Sequence, residues 1–364
     1  MNPSISICVP TYNGSSFLAE CLDSILSQTF SDFELIIVDD RSSDRTLEIA
    51  KEYAARDSRI TVVENSQNLG LVGNWNRCVE LAKGEWIKFV FQDDTIAPTC
   101  VEKMFAATQL GKPIIYCRRN FIFEAGTQDY TKEYYLTHLS VRDPFSGTVE
   151  ISAQQYAELA VKNIGINLIG EPTSVLLHRN VFSQFGSFNP HLIMICDFEF
   201  YTRIAIHTGI VQVPEVLAHF RVHSSASTAV SNANRQYRGW VLDPLILLHD
   251  FAFHVAYEPI RAVAQQCRPS IDLAHLFKDK AFLAWKIAQR EQYFAETSVF
   301  SPHVELAKVS KFYPLIPNII EINIVERLKE NILLQIELYK ISIKSNIKLV
   351  LPITKIKQKF SKFS

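Results

Sequence analysis

"WIKFVFQDDT", residues 86–95, is an apolar run that closes on two adjacent carboxylates, Asp93 and Asp94. Neighbouring Asp side chains repel one another, and burying either without compensation is costly. The stretch reads either as a buried strand entering a plain polar loop, or as a strand that ends where positive charge sits. A divalent cation carrying a phosphate is the candidate for that charge. Upstream, "SISICVP" (4–10), "FELIIVDD" (33–40) and "RITVVEN" (59–65) also read as strands, and 85–94 is the fourth. Between the first two, "SSFLAECLDSILSQ" (15–28) places Phe17, Leu18, Cys21, Leu22, Ile25 and Leu26 on one helical face. "SSDRTLEIAKEYAARD" begins with Ser42, Ser43 and Asp44 as cap candidates, and "GNWNRCVELAKG" (73–84) is a third helix. This alternation with short connections predicts an α/β fold with a mostly parallel central sheet flanked by helices. Ligands of such sheets bind at the carboxyl ends of the strands. "PTYNG", "DDRSSD" and "QDDT" all fall at such ends, so the three loops are expected to share one crevice.

Farther along, the pattern is mixed. "PIIYCRRNFIFEAG" reads as a strand or hairpin, "SVLLHRNVFSQFG" as a strand and short helix, and "DFEFYTRIAIHTG" as a helix stopped by Gly. "IVQVPEVLAHFRVH" is extended. His219 and His223 stand four apart there, but an extended segment without an H-E-x-x-H glutamate argues against zinc. Beyond about 230 the sequence turns mostly helical. Two units are therefore expected, 1–228 as the α/β domain and 229–364 as a mostly helical extension. Trp240, Phe251 and Phe253 read as packing residues of the latter. The last residues, 341–364, carry lysines at 344, 348, 355, 357, 359 and 362, no acidic residue, and Pro352. They read either as a solvated end or as an amphipathic, basic surface anchor.

Composition sets bounds on both units. The chain has 364 residues, 48% of them hydrophobic, enough for a core domain and a second unit. A formal net charge of −1 excludes a globally basic nucleic-acid binder, and no nucleic-acid partner is expected. The seven cysteines are scattered with no C-x-x-C, which favours reduced thiols over a disulfide framework. The N-terminal "MNPSISICVPTYNG" lacks the charged start and apolar run of a signal peptide, and no apolar run reaches membrane-spanning length. A cytoplasmic location is the expectation.

A nucleotide diphosphate ligand asks for an apolar or aromatic wall at the base, a carboxylate at the ribose and positive charge at the phosphates. Pro10, Thr11, Tyr12 and Asp40 offer the first, and Asp93 and Asp94 suit the others, with Mg²⁺ or Mn²⁺ as the charge. At this point five blocks resemble those of family 2 glycosyltransferases, in the family's order: "CVPTYNGSSFLAECLDSILSQTF", "ELIIVDDRSSDRT", "NLGLVGNWNRCVELAKGEWIKFVFQDD", "EPTSVLLHRNVF" and "CDFEFYTRIA". The resemblance covers about 1–225. It implies a GT-A nucleotide-sugar-binding fold and an inverting enzyme that moves a sugar from a nucleotide-diphosphate donor to an acceptor hydroxyl. It assigns Pro10, Thr11, Tyr12 and Asp40 to the nucleoside, with Asp40 on the base, Asp93 to the ribose and Asp94 to the metal. Asp197 takes the position of the catalytic base, His223 that of a histidine near the metal or diphosphate, and Glu171 borders the sugar or acceptor. The implied pathway is bacterial-type surface polysaccharide or glycolipid synthesis, where acceptors are saccharides or lipid-linked saccharides. Peripheral contact with the inner membrane face would suit such an acceptor.

The chain departs from the family pattern at four positions. Phe91 and Gln92 precede the acidic pair where an Asp and a small residue are usual. Trp75 replaces a common Arg, which leaves uridine preference open, and Cys196 replaces an acidic residue before Asp197. Asp39 reads as a helix cap or a nucleotide contact. A nucleotide-sugar-binding protein without catalysis is the alternative function. A dinucleotide-binding oxidoreductase is disfavoured because "CVPTYNG" stands where G-x-G-x-x-G would be required.

Overall fold

In the computed structural model, Ile5–Thr11 forms β1, and all seven of its residues are buried. That burial follows from its neighbours: β2 (Phe33–Asp39) lies parallel on one side and β4 (Trp86–Phe89) parallel on the other, while β3 (Ile60–Glu64) extends the sheet parallel to β2. A strand inside a parallel sheet is covered on both faces and so tolerates a continuous apolar run. The structure describes residues 2–136, 149–224, 237–292 and 301–326, with the isolated positions 145, 226, 329 and 333. The tail 341–364 and the expected unit boundary at 228/229 lie outside them.

Side-chain alternation along β1 divides the core in two. Ile5, Ile7 and Val9 face one layer with Leu35 and Ile37, covered by Leu18, Cys21, Leu22 and Ile25 of helix α1 (Leu18–Leu26). Cys8, Ile36, Val38, Ile87 and Phe89 face the other, covered by α3 (Gly70–Leu81). Helix α2 (Thr46–Ala54) packs beside α1. The expected strand 85–94 stops at Phe89, so Val90–Asp94 is loop.

Beyond β4 the sheet order is β3-β2-β1-β4-β8-β6-β9-β5, with β7 also on β9. These strands are β5 (Thr95–Ile96), β6 (Ile114–Phe123), β7 (Glu150–Ile151), β8 (Val175–His178) and β9 (Ile210–Val222). Strand β8 is antiparallel to both β4 and β6, while β6 and β9 run parallel. The stretch "PIIYCRRNFIFEAG" is thus one ten-residue strand and no hairpin. Helices α4 (Cys100–Ala106), α5 (Asp129–Tyr134), α6 (Ala153–Lys162), α7 (Asn180–Phe185) and α8 (Cys196–Thr208) complete this part.

Helices α9 (Asp243–Phe253), α10 (Glu258–Gln266), α11 (Leu273–Gln292) and α12 (Pro302–Phe312) follow, and 315–326 is helical as well. Leu245, Ile246, Phe251, Tyr257, Ile260 and Phe277 are buried in the same apolar cluster as Phe198, Phe200 and Tyr201 of α8. Phe251 packs as expected, but Trp240 and Phe253 stay partly exposed. Among the described residues, no helix is long and apolar enough to cross a membrane.

Candidate functional site

The three polar loops at the strand ends do meet. Asn13, in a left-handed conformation at φ 48°, accepts from the Ser43 N–H at 2.8 Å and donates its own N–H to Ser42 Oγ at 2.9 Å. The Gly14 N–H donates to Thr46 Oγ1 at 2.8 Å, tying the first loop to the start of α2. Gln92 closes the third side: its Oε1 accepts from the Tyr12 N–H at 2.9 Å and its Nε2 donates to the Tyr12 carbonyl at 3.1 Å. The Gln that departs from the family pattern is therefore the clasp between two loops.

Pro10 and Thr11 are interior strand residues, and Tyr12 alone of the three exposes its side chain, at 51%. Asp39 is neither a direct cap nor open to solvent. It accepts from Thr11 Oγ1, from the Ser42 N–H at 2.9 Å and from Ser42 Oγ, holding its loop in shape. Asp40 is buried and fully engaged: Asn65 Nδ2, the Leu69 N–H and the Gly70 N–H all donate to it, at 2.7–2.9 Å. It holds the N-terminus of α3, where a carboxylate is favoured by the helix dipole. Of the cap candidates for α2, Asp44 takes the job, accepting from the Thr46 N–H at 3.0 Å.

The two carboxylates of the opening stretch part company. Asp94 is wholly buried; its Oδ1 accepts from the Arg221 N–H at 2.9 Å and its Oδ2 from Thr173 Oγ1. It does not stand at an exposed strand end. Burial, and then the neighbouring Asp93, push its carboxyl well above the usual carboxylate range. Asp93 is half-buried, and its Oδ2 lies 2.9 Å from His223 Nε2. The Arg221 guanidinium donates to the Asp93 carbonyl at 2.7 Å, spans Glu20 and Glu124, and lies 5.0 Å from the Phe17 ring centre. Positive charge does sit beside the pair, in the Arg221 guanidinium. Beneath them, Lys88 is fully buried and donates to the carbonyls of Phe89 and Thr173; burial pulls its ammonium below the usual range.

Asp197 is in the first turn of α8. Its Oδ1 accepts from the Phe198 N–H at 2.7 Å and its Oδ2 from Asn167 Nδ2 at 3.1 Å. Burial and the nearby Glu171 carboxylate raise its carboxyl to about 7, against the Phe198 N–H and Arg119, which lower it. Glu171 forms an ion pair with Arg119. Residues 167–174 thus join the centre together, since Asn167 holds Asp197 and Thr173 holds Asp94. Gly170 permits this turn: it sits at φ +109°, and a Cβ there would come within 2.8 Å of Arg119 Nη1.

Comparison with known proteins bears on what this centre does. The sequence model described as "Glycosyl transferase family 2" matches residues 6–181. The chain carries a family 2 glycosyltransferase domain. A Bacillus subtilis relative, "Uncharacterized glycosyltransferase EpsJ", is 43% identical over 104 residues, 29% of this chain and 30% of that one. Longer matches to a Mycobacterium tuberculosis and a second B. subtilis protein, at 29% and 31% identity, span 69% and 62% of those relatives. Among solved structures, S. aureus TarS in complex with UDP aligns at TM-score 0.51 and 18% identity, over 78% of this chain and 69% of TarS. The mannosyltransferase PcManGT from Pyrobaculum calidifontis, in complex with GDP-Man and Mn²⁺, aligns at TM-score 0.51 and 15% identity, over 90% and 88%. These two share the fold, which is GT-A.

In this glycosyltransferase domain the donor set fits a divalent cation of the Mg²⁺ or Mn²⁺ kind. Among the described residues no cluster of three or more His, Cys, Asp or Glu forms a closed metal cage. A hard cation that takes one or two protein donors and leaves its other positions to phosphate and water needs none. Asp93 offers such a carboxylate, and its Oδ2 lies 2.9 Å from His223 Nε2. Several of the centre's residues escaped the sequence reading. Arg221 was within sight, two positions before His223 in "FRVH", but Thr173, Arg119, Asn167 and Lys88 reach the centre only through long-range packing.

Proposed function

We propose that this domain is an inverting glycosyltransferase that moves a sugar from a nucleotide-diphosphate donor to an acceptor hydroxyl, with Asp197 as general base. The observation that carries this reading is that one segment joins Asp197 to the strand-end carboxylates, Asn167 holding Asp197 and Thr173 holding Asp94, while burial raises the Asp197 carboxyl to about 7. A general base works best when its proton affinity lies near the operating pH. In the mechanism Asp197 takes the proton of the acceptor hydroxyl as its oxygen attacks the anomeric carbon from the face opposite the departing nucleotide. Asn167 and the Phe198 N–H hold the carboxylate in place for that transfer. Tyr12, with its ring exposed beside Pro10 and Thr11, is assigned to the base of the nucleotide. Asp40 acts at the nucleoside end, and its present bonds to α3 make part of its contribution structural. Glu171, held by Arg119, borders the sugar or acceptor.

For the metal, the geometry favours Asp93 over the Asp94 first read from the sequence. Asp94 spends both oxygens on protein donors, so Asp93 with His223 is proposed to hold Mg²⁺ or Mn²⁺, with Asp94 bracing the loop from below. A bound cation there would stabilise charge on the leaving diphosphate. The test compares two variants on a panel of UDP-glucose, UDP-GlcNAc and GDP-mannose. Asp93→Ala should abolish EDTA-sensitive donor hydrolysis while leaving thermal stability near wild type. Asp94→Ala should lower stability by about 1–3 kcal/mol, since it strands the Arg221 N–H and the Thr173 hydroxyl. Full hydrolysis in excess EDTA would sink the metal reading.

Surface-polysaccharide or glycolipid synthesis, with peripheral attachment through the lysine-rich tail, is the biological setting proposed. Each lysine near an anionic leaflet contributes on the order of 1 kcal/mol, falling with salt. Removing 341–364 should release the protein from phosphatidylserine-containing vesicles and leave donor hydrolysis intact. Equal sedimentation of truncated and full-length chains at low salt would mean that the tail is only a solvated end.

A further inference from the structure

Helix α8 begins without a cap of its own. Its N-cap residue is Ile195, whose side chain accepts no hydrogen bond. The two residues before that N-cap, Ile193 and Met194, lie outside the helix, and their N–H groups need acceptors of their own. They find one in the helical region that follows the α/β part. The Asp243 carboxylate, fully buried at the start of α9, accepts from the Ile193 N–H at 2.9 Å and the Met194 N–H at 2.6 Å, both through Oδ2.

Other contacts from the same region reach the same segment. Tyr257 donates its hydroxyl hydrogen to Glu199, which is itself bonded to Arg203 at 2.8 Å. The Arg238 guanidinium donates to the His191 carbonyl at 2.6 Å and reaches Glu305 at 3.3 Å. Asn189 donates to the Tyr313 hydroxyl at 3.0 Å. These bonds land on 189–199, the stretch that carries Asp197.

We propose that Asp243 is a positioning residue for Asp197, holding the lead-in at Ile193 and Met194 from which the helix that presents the base starts. The proposal rests on the reading of Asp197 as general base. It gives the helical region a part in the reaction: the segment leading into α8 is held by one side chain of that region, and Glu199, in the first turn of α8, by another. Because both N–H groups bond to one oxygen, an amide oxygen at position 243 can replace the carboxylate.

The test uses the full-length protein, UDP-glucose hydrolysis (or the best donor of the panel above) and UDP binding by calorimetry. Asp243→Ala should lower kcat by about 10- to 100-fold, the range expected when a reacting group is displaced by about 1 Å. UDP affinity should be unchanged, and the midpoint of the pH–rate profile should move. Asp243→Asn should restore kcat to near wild type. Adding Asp243→Ala to Asp197→Asn should cost no further rate, because the residue being positioned is already gone. Wild-type kcat in a folded Asp243→Ala protein would overturn the proposal. So would a full, additive loss on top of Asp197→Asn, or a fall in UDP affinity with an unmoved pH midpoint. If Asp243→Ala does not fold, Asp243→Glu, which shifts the carboxylate by one methylene, is judged by the same readouts. Failure of the base reading shows separately, as wild-type turnover in Asp197→Asn alone.

Discussion

Asp197 combines a chemical asset with a cost in stability. Its carboxyl stands at about 7 in the folded protein against an ordinary 3.8, so the native state holds this proton more tightly than the unfolded chain. Folding is favoured by this group below about pH 4, and that contribution is lost as pH rises to about 7. The rate runs the other way: kcat/KM should climb through about pH 7 as the base ionises. Asp197→Asn should therefore lose about 10²- to 10⁴-fold in rate. The same variant should gain thermal stability over wild type, by a margin that opens between pH 4 and 7 and is constant above. Parallel melting and pH–rate series check both, and a wild-type Tm at pH 8 would contradict the buried-charge account. Other single residues were harder to read in advance. Asp93 and Asp94 are adjacent and chemically identical, and only the path of β9 buries the second beneath Arg221. Trp75 could be recognised as a departure, yet its place against Phe91 and Phe188, at centroid distances of 4.8 and 5.4 Å, depends on chain segments far apart.

At the scale of elements, the first four strands and three helices were legible because period and turn chemistry agree there. β-Branched runs such as "ELIIV" and faces spaced like Leu18, Cys21, Leu22 and Ile25 leave few alternatives. The segment 167–174 was not legible. It is neither strand nor regular helix for most of its length, and its role comes from long-range bonds to Lys88, Phe91, Asp94, Arg119 and Asp197. Gly170 is the point where that segment is most exposed to perturbation. Gly170→Ala forces a Cβ into a left-handed position and against Arg119. The strain should cost about 1–3 kcal/mol. By displacing Arg119 from Glu171, the variant should also lower turnover more than UDP affinity. Chemical denaturation and steady-state kinetics on one preparation test the pair of effects; an unchanged midpoint would remove the strain argument.

For the whole molecule, the helical region behaves as part of the core. Leu242, Leu245, Ile246 and Phe251 are almost completely buried, in one cluster with Phe198 and Phe200. A fully buried side chain of this kind is worth about 1.5–3 kcal/mol relative to exposure. A chain ending at 228 would expose several such partners at once. It should be insoluble or bind a hydrophobic dye strongly, whereas the full-length protein should unfold in a single calorimetric transition. Two well-separated transitions would show that the units are independent after all. The sequence foretold a helical extension from its pattern. It could not foretell a shared core, because amphipathic helices announce that they have a buried face without saying what buries it.

The distribution of sulfur gives the molecule an internal clock. Of the seven free cysteines, Cys267 alone is partly exposed; the other six are buried. Burial also pushes the thiols of Cys21, Cys78, Cys117 and Cys196 well up from their ordinary range, so little reactive thiolate exists in the closed state. A thiol reagent should therefore label Cys267 at once and the others only as the structure opens around each of them. Cys21 lies beneath the acidic pair and Cys196 opens α8, the helix of Asp197. The labelling rates of these two, followed by mass spectrometry, would time the breathing of the two sides of the crevice separately, and nucleotide should slow the first.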